Sequence, residues 1–220
     1  MEKNFQDDDR ENAMIALFEL YKDKSEGRSG VDAFMKIGGK IIPFELKTTS
    51  QGSVTTVRDF SPDHIRKWKN KHWLIDFFIK EREYYKYGSP SLMAKWIQRK
   101  EKYIAPDFKL AKLVPSKINL KDMYEIIGKK DVYTFDDAKA VQKMQYKKER
   151  YLQLQDLEQG YNPKRMLEIV INRAQYLIER GSTLNNPHIP FSYFEGWTEI
   201  TKNHAEQLRA MVMNYLKRLQ

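Results

Sequence analysis

The chain has 220 residues, 41% of them hydrophobic and 13% aromatic, enough to bury a core and too apolar for a disordered segment. It contains no cysteine, which excludes disulfides, thiolate zinc sites, iron–sulfur clusters and cysteine nucleophiles. The net charge of +9 is uneven: residues 1–60 hold nine Lys/Arg against eleven Asp/Glu, residues 61–120 fourteen against six, and residues 121–220 sixteen against thirteen. An acidic segment followed by a strongly basic one suits a metal site beside a phosphate-binding surface, although a generic solubilising surface has the same composition. No apolar run approaches the roughly 18 residues of a membrane span. The start of the chain, with Asp7, Asp8 and Asp9 soon after Met1, lacks the basic-then-apolar order of a secretory signal, so the expected address is cytoplasmic.

Met14, Leu17, Phe18 and Tyr21 recur at helical spacing behind those aspartates and predict a first helix over residues 8–22. Val31–Ile37 and Lys40–Thr48 predict two strands joined by a two-residue turn at Gly38-Gly39. Any strand ahead of this hairpin is missing or very short, since few residues separate it from the first helix. Ser61-Pro62-Asp63 opens a short basic helix to about Asn70, and His72–Ile79 reads as a buried strand. Strand, helix and strand imply a parallel crossover. Beyond residue 88 the pattern turns helical, with segments over Ser91–Ile104, Leu120–Ile127, Thr134–Glu158, Pro163–Arg180 and Trp197–Leu219. The expected fold class is therefore α/β (α+β): a mixed sheet flanked by helices in residues 1–88, and a mainly helical lobe in 89–220 packed on it as one unit.

The hairpin carries the chemistry. With the turn at Gly38-Gly39, Ala33 faces Phe44 and Asp32 faces Glu45. One face is then wholly apolar (Val31, Ala33, Met35, Ile37, Ile42, Phe44, Leu46), and a one-residue slip would bury the charges instead. The other face carries Asp32, Glu45 and Lys47, with the two acidic Cβ atoms roughly 4.5–5.5 Å apart. Facing like charges destabilise a strand pair unless a cation lies between them. Mg²⁺ favours one or two carboxylates, several waters and a phosphate oxygen. Lys47 would then orient or deprotonate a water and offset charge on the phosphate. The alternative is a solvated hairpin face on which two acids meet by chance.

Asp32, a gap of twelve residues, then Glu45-Leu46-Lys47 at the end of an apolar strand resembles the PD-(D/E)XK nuclease superfamily, whose core order of helix, strands, helix and strand is similar. The likeness covers roughly residues 8–80 and implies that Asp32 and Glu45 are metal ligands, Lys47 the catalytic lysine, and Mg²⁺ the cofactor with Mn²⁺ as a substitute. Val31 stands in the family's proline position, and Pro43 interrupts the second strand, where a bulge or a local edge is expected. Family members often carry a metal-binding glutamate on the first helix. Glu11 fits that place, or equally stabilises the helix N-terminus electrostatically. The polar run after Lys47 suggests DNA contacts from Thr48, Thr49, Ser50, Gln51, Thr55, Thr56 and Arg58, and the next helix adds Arg66, Lys67 and Lys69; a plain polar loop and a solvated basic face are the alternatives. His64 and His72 have no partner at metal-ligand spacing and are read as structural. Lys71 belongs to the basic cluster, and Lys95, Arg99, Lys100 and Lys102 form a second basic run.

No Walker loop is present, because Gly38-Gly39-Lys40 lacks the flanking residues, and no Gly-x-Ser-x-Gly elbow occurs. Size and layout resemble a type II restriction endonuclease, with double-stranded DNA as partner, a homodimer joined through residues 90–220, no membrane and no nucleotide cofactor. A structure-specific repair or recombination nuclease, such as a junction resolvase or nicking enzyme, and a non-catalytic DNA-binding module are the other readings.

Overall fold

Two glycines with left-handed backbone angles, Gly38 (φ 53°) and Gly39 (φ 76°), make the tight turn that a right-twisted hairpin needs. A computed structural model describes residues 3–23, 30–80 and 82–219, with side chains from residue 8 onward. Helix α1 (Lys3–Leu17) leads to the hairpin of β1 (Ala33–Ile37) and β2 (Lys40–Thr49). Their register sets Ala33 opposite Phe44 and Ile37 opposite Lys40, as the apolar alternation requires. On the outer side of β1, Tyr21 exchanges two backbone hydrogen bonds with Phe34 (3.0 and 2.8 Å), a single rung in place of a preceding strand. Residues 24–29, where the rest of such a strand would fall, lie outside the described residues.

That rung explains how Pro43 is tolerated. Phe34 spends its N–H and C=O on Tyr21, so the Phe34–Pro43 pair is a non-hydrogen-bonded one. The Pro43 nitrogen therefore points away from β1, to the side where β2 gains its next neighbour only from Phe44 onward. The register runs without a bulge, and the missing N–H falls at a local edge.

After the short β3 (Val54–Thr55) and α2 (Pro62–Trp68), β4 (His72–Ile79) pairs parallel to β2, with Phe44 beside His72 and Lys47 beside Ile75. The parallel crossover is thus present. Strand β5 (Arg82–Gly88) returns antiparallel along β4. It went unread in the sequence, because its turn relies on left-handed Lys80 (φ 49°) and not on a glycine or asparagine. Near the end of the chain, β6 (His188–Ile189) pairs with β3, and β7 (Thr198–Ile200) pairs with β5. The result is a five-stranded mixed sheet in the order β1-β2-β4-β5-β7, flanked by helices.

The last helix, α8, runs from His204 to Lys217. Met14 of α1, Phe18 just after it, and Leu208 and Val212 of α8 bury one sheet face, against Ala33, Met35, Phe44, Leu46 and Leu74. The apolar stripe of α8 is therefore used within its own core. On the other face Trp68 meets Trp73 edge-on at 5.0 Å and Phe77 meets Phe194 at 5.5 Å. Both faces are covered, so a charged group on the middle strands lies inside the protein.

The chain divides into Met1–Glu101 with Leu184–Gln220, and Lys102–Thr183, whereas the sequence suggested 1–88 and 89–220. The difference arises because β7 completes the sheet and α8 covers it. The division falls inside α3 (Pro90–Leu113), which extends past the expected Ser91–Ile104 and contains Pro106. The second unit has its own core of Met123, Tyr133, Tyr151, Tyr161, Met166 and Ile169. It contains α4 (Leu120–Ile127), α5 (Phe135–Gln142), α6 (Lys148–Leu154) and α7 (Pro163–Gly181). The single helix expected over Thr134–Glu158 is two, broken where Lys143 (φ 51°) and Met144 (φ 56°) turn left-handed. The helix expected from Trp197 starts only at His204, because residues 198–200 are taken up as β7. Among the described residues no helix is long and apolar enough to cross a membrane.

Candidate active site

Asp32 stands one residue before β1, where the β1–β2 ladder ends. Its Oδ2 accepts the Leu46 N–H at 2.8 Å, so the side chain supplies the next rung and is locked against β2. Glu45 and Lys47 project from β2 on the face opposite Leu46. Glu45 is buried, at 5% exposure, and its flanks are the same-face neighbours Trp73 and Ile75 of β4.

These side chains converge on one point. Lys47 Nζ lies 2.8 Å from Glu45 Oε1 and 3.7 Å from Asp32 Oδ2, and donates to the Leu46 carbonyl at 3.0 Å. Two carboxylate oxygens and a backbone carbonyl thus surround a single positive charge. The expected set of Asp32, Glu45 and Lys47 is assembled.

A second cation reaches the site that the sequence had grouped with the exposed basic residues. Lys71, just ahead of β4, places Nζ 2.7 Å from Glu45 Oε2 and 3.5 Å from the Gly30 carbonyl. It is 4% exposed. The parallel register of β4 on β2 brings it there, and nothing in the residue order specifies that register.

Burial penalises the Glu45 charge, but Lys47 and Lys71 outweigh it and hold the carboxyl below its ordinary range. For Asp32 burial dominates; Lys47 opposes it, the neighbouring Glu45 charge adds to it, and the carboxyl sits above its ordinary range. Burial also disfavours the Lys47 charge, yet Glu45 and Asp32 more than compensate and hold the ammonium above its usual range. The negative charge of Glu11 on α1 reaches Lys47 as well, but the Glu11 carboxylate is paired with Lys22 at 2.8 Å. Among the described residues no group of three or more His, Cys, Asp or Glu converges on a metal position, so Glu11 does not complete an acidic triad with Asp32 and Glu45. The donor set is two carboxylates and the Leu46 carbonyl. All are hard oxygens, and such a set suits Mg²⁺, which keeps several waters and takes one or two carboxylates.

The expected DNA contacts divide by how they are used. Thr49 is buried; its Oγ1 donates to the Ser53 carbonyl (2.7 Å) and accepts the Gln51 N–H (3.1 Å), closing the loop after β2. Thr56 donates to the Pro187 carbonyl (2.6 Å), and Thr55 Oγ1 lies 3.3 Å from His188 Nδ1. These threonines shape the loop. Thr48 is half-buried, while Ser50, Gln51 and Arg58 are exposed beyond the end of β2. Arg66, Lys67 and Lys69 are exposed on and just after α2, where Arg66 pairs with Asp63 and Lys69 with Glu101.

His64 on α2 caps its own helix, Nδ1 accepting the Ser61 N–H at 3.3 Å. Burial and Lys67 lower its pKa, and the Glu45 charge acts on it in the opposite sense. His72 is buried against Tyr87, with Nδ1 2.7 Å from the phenol oxygen, and burial pushes it down to about 4. It is a neutral core residue. No protein-family model matches the chain, and no curated protein matches it.

Proposed function

We propose that the chain is a Mg²⁺-dependent endonuclease with a restriction-endonuclease-like core of the PD-(D/E)XK kind, hydrolysing phosphodiester bonds of double-stranded DNA. The observation that carries this reading is the convergence of Asp32 Oδ2, Glu45 Oε1 and the Leu46 carbonyl around the Lys47 ammonium. Surface selection would not bury a glutamate beside a second carboxylate on a strand covered on both faces. A function that uses both acids explains it. The order of α1, hairpin, α2 and parallel β4 supports the same reading.

The bound metal would supply an activated water and a Lewis acid for the phosphate oxygen. Asp32 and Glu45 would hold it, with the Leu46 carbonyl as a third oxygen. Asp32 is kept in place by the Leu46 N–H, so its carboxylate has a fixed direction. Lys47, with its ammonium between the two acids, would turn its N–H donors to the attacking water and to the charge growing on the phosphate. Ser50, Gln51 and Arg58, beyond the end of β2, and Arg66, Lys67 and Lys69 of the α2 region would hold the DNA backbone.

Sequence-specific cutting, as by a type II restriction enzyme acting as a homodimer with contacts in residues 90–220, is the form that fits the chain's size and its helical second unit. Incubation of the full chain with long genomic DNA and Mg²⁺ tests it. Discrete bands are expected. A smear, or cleavage confined to junctions, replaces it with a structure-specific nuclease, and intact but retarded DNA with a binding module.

A further inference from the structure

Two ammonium groups touch Glu45, and they are not equivalent. Lys47, on Oε1, has a side chain 21% exposed and two other oxygens within reach. Lys71, on Oε2, has a side chain 5% exposed, and its other acceptor among the described residues is the Gly30 carbonyl at 3.5 Å. A buried ion pair is poor value as a stabiliser, because an apolar residue of similar volume fills the same space without desolvating two charges. Lys71 therefore calls for a reason other than stability.

The geometry points to Lys71 as a positioning residue, one that pins Glu45 Oε2 so that Oε1 alone faces the point shared with Asp32 Oδ2 and the Leu46 carbonyl. This rests on the nuclease reading above. Glu45 would then hold a cation through one oxygen with a fixed direction. The four charges of Asp32, Glu45, Lys47 and Lys71 also balance, which lets the site fold without metal. When a divalent cation enters, the more exposed Lys47 can turn away to water, while Lys71 stays buried on the far oxygen. The lysine on β2 is thus the mobile charge and the lysine ahead of β4 the fixed one.

The test is Lys71→Met in the full chain, followed by Mn²⁺ titration monitored by electron paramagnetic resonance and by single-turnover cleavage. Methionine matches the volume but has neither charge nor donor. Removing a cation close to the ligand oxygen and freeing Oε2 should tighten Mn²⁺ binding by about tenfold or more. The cation would then sit off its position, and the cleavage rate should fall by about 100-fold while KM for DNA holds. Affinity and rate moving in opposite directions is a signature that a merely structural lysine would not give. Unchanged Mn²⁺ affinity, or affinity and rate lost together, overturns the assignment. If Lys71→Met does not fold, Lys71→Arg decides: it keeps charge and donor and should keep wild-type Mn²⁺ affinity, and tighter binding there overturns the assignment as well. A wild-type chain that neither binds Mn²⁺ nor cuts DNA defeats the nuclease reading and this inference with it; wild-type activity with an indifferent Lys71 defeats this inference alone.

Discussion

Replacing Glu45 with alanine is the obvious way to disable the site, and the structure says that it does more than remove a ligand. Lys71 would keep its ammonium buried, and among the described residues the Gly30 carbonyl at 3.5 Å is the acceptor left to it. Breaking a buried pair from one side costs about 3–5 kcal/mol. In a chain of this size each kcal/mol moves the melting point by about 2–4 °C, so Glu45→Ala should melt roughly 6–20 °C lower than wild type. Glu45→Gln keeps an oxygen for Lys71 and should lose less, about 1–3 kcal/mol. Urea denaturation followed by tryptophan fluorescence measures this cleanly, because Trp68, Trp73, Trp96 and Trp197 all lie in the unit that holds the sheet. Adding Lys71→Met to Glu45→Ala should restore part of the loss, a coupling of about 0.5–3 kcal/mol. A Glu45→Ala variant within about 1 kcal/mol of wild type would mean that Lys71 reaches water or another partner, and the buried-pair argument would fail. For cleavage assays, glutamine is the informative substitution.

Asp76 on β4 is 2% exposed, its Oδ1 has no hydrogen-bond partner among the described residues, and Arg10 lies 3.5 Å from Oδ2. Burial, reinforced by Glu83 and opposed by Arg10, pushes its carboxyl up to about 6. An acid raised in the folded state costs nothing below its unfolded value of 3.8, and the cost grows as pH rises towards 6. Asp76→Asn should therefore match wild type at pH 4 and exceed it by about 2–3 kcal/mol at pH 8; equal stability at both pH values would refute this. The triple variant Arg66→Ala, Lys67→Ala, Lys69→Ala should lower the slope of log affinity against log salt by about three, near one per phosphate contact, and an unchanged slope would put that face away from DNA. Sedimentation on a cleaved duplex should find two copies of the chain per site, and one copy cutting both strands would replace the dimer with sequential nicking.

The hairpin was legible because two signals agreed there. Gly38-Gly39 marked the turn, and the apolar alternation allowed only one register, so the approach of Asp32, Glu45 and Lys47 followed from the strand period alone. Asp32 sits just outside the ladder and is fixed by the Leu46 N–H, a refinement that pairing rules do not contain. Lys71 was hidden by a different kind of fact. Its contact with Glu45 depends on the register of two parallel strands separated by a crossover, and sequence spacing does not encode that. In order alone it reads as one more cation among Arg66, Lys67 and Lys69. Strand β5 mixes charges with tyrosines and turns on Lys80, so it offered neither clean alternation nor a turn residue. The return of β7 and α8 to the sheet is a long-range pairing three residues long, too short for a periodic signal. The break at Lys143 and Met144 has no glycine or proline to announce it.

The most direct test of the central claim is cleavage of DNA, both long duplex and branched junctions, by wild type, Asp32→Asn and Glu45→Gln, with Mg²⁺, with Ca²⁺ and with excess chelator. Oxygen ligands admit both ions, but Ca²⁺ is larger and a weaker activator of water. Cleavage is expected from wild type with Mg²⁺ alone, binding without cutting is expected with Ca²⁺, and both variants should bind DNA without cutting it. Cleavage that survives the chelator, or that stays within about tenfold of wild type in either variant, would contradict the account, since losing a ligand of the metal should cost several kcal/mol of barrier.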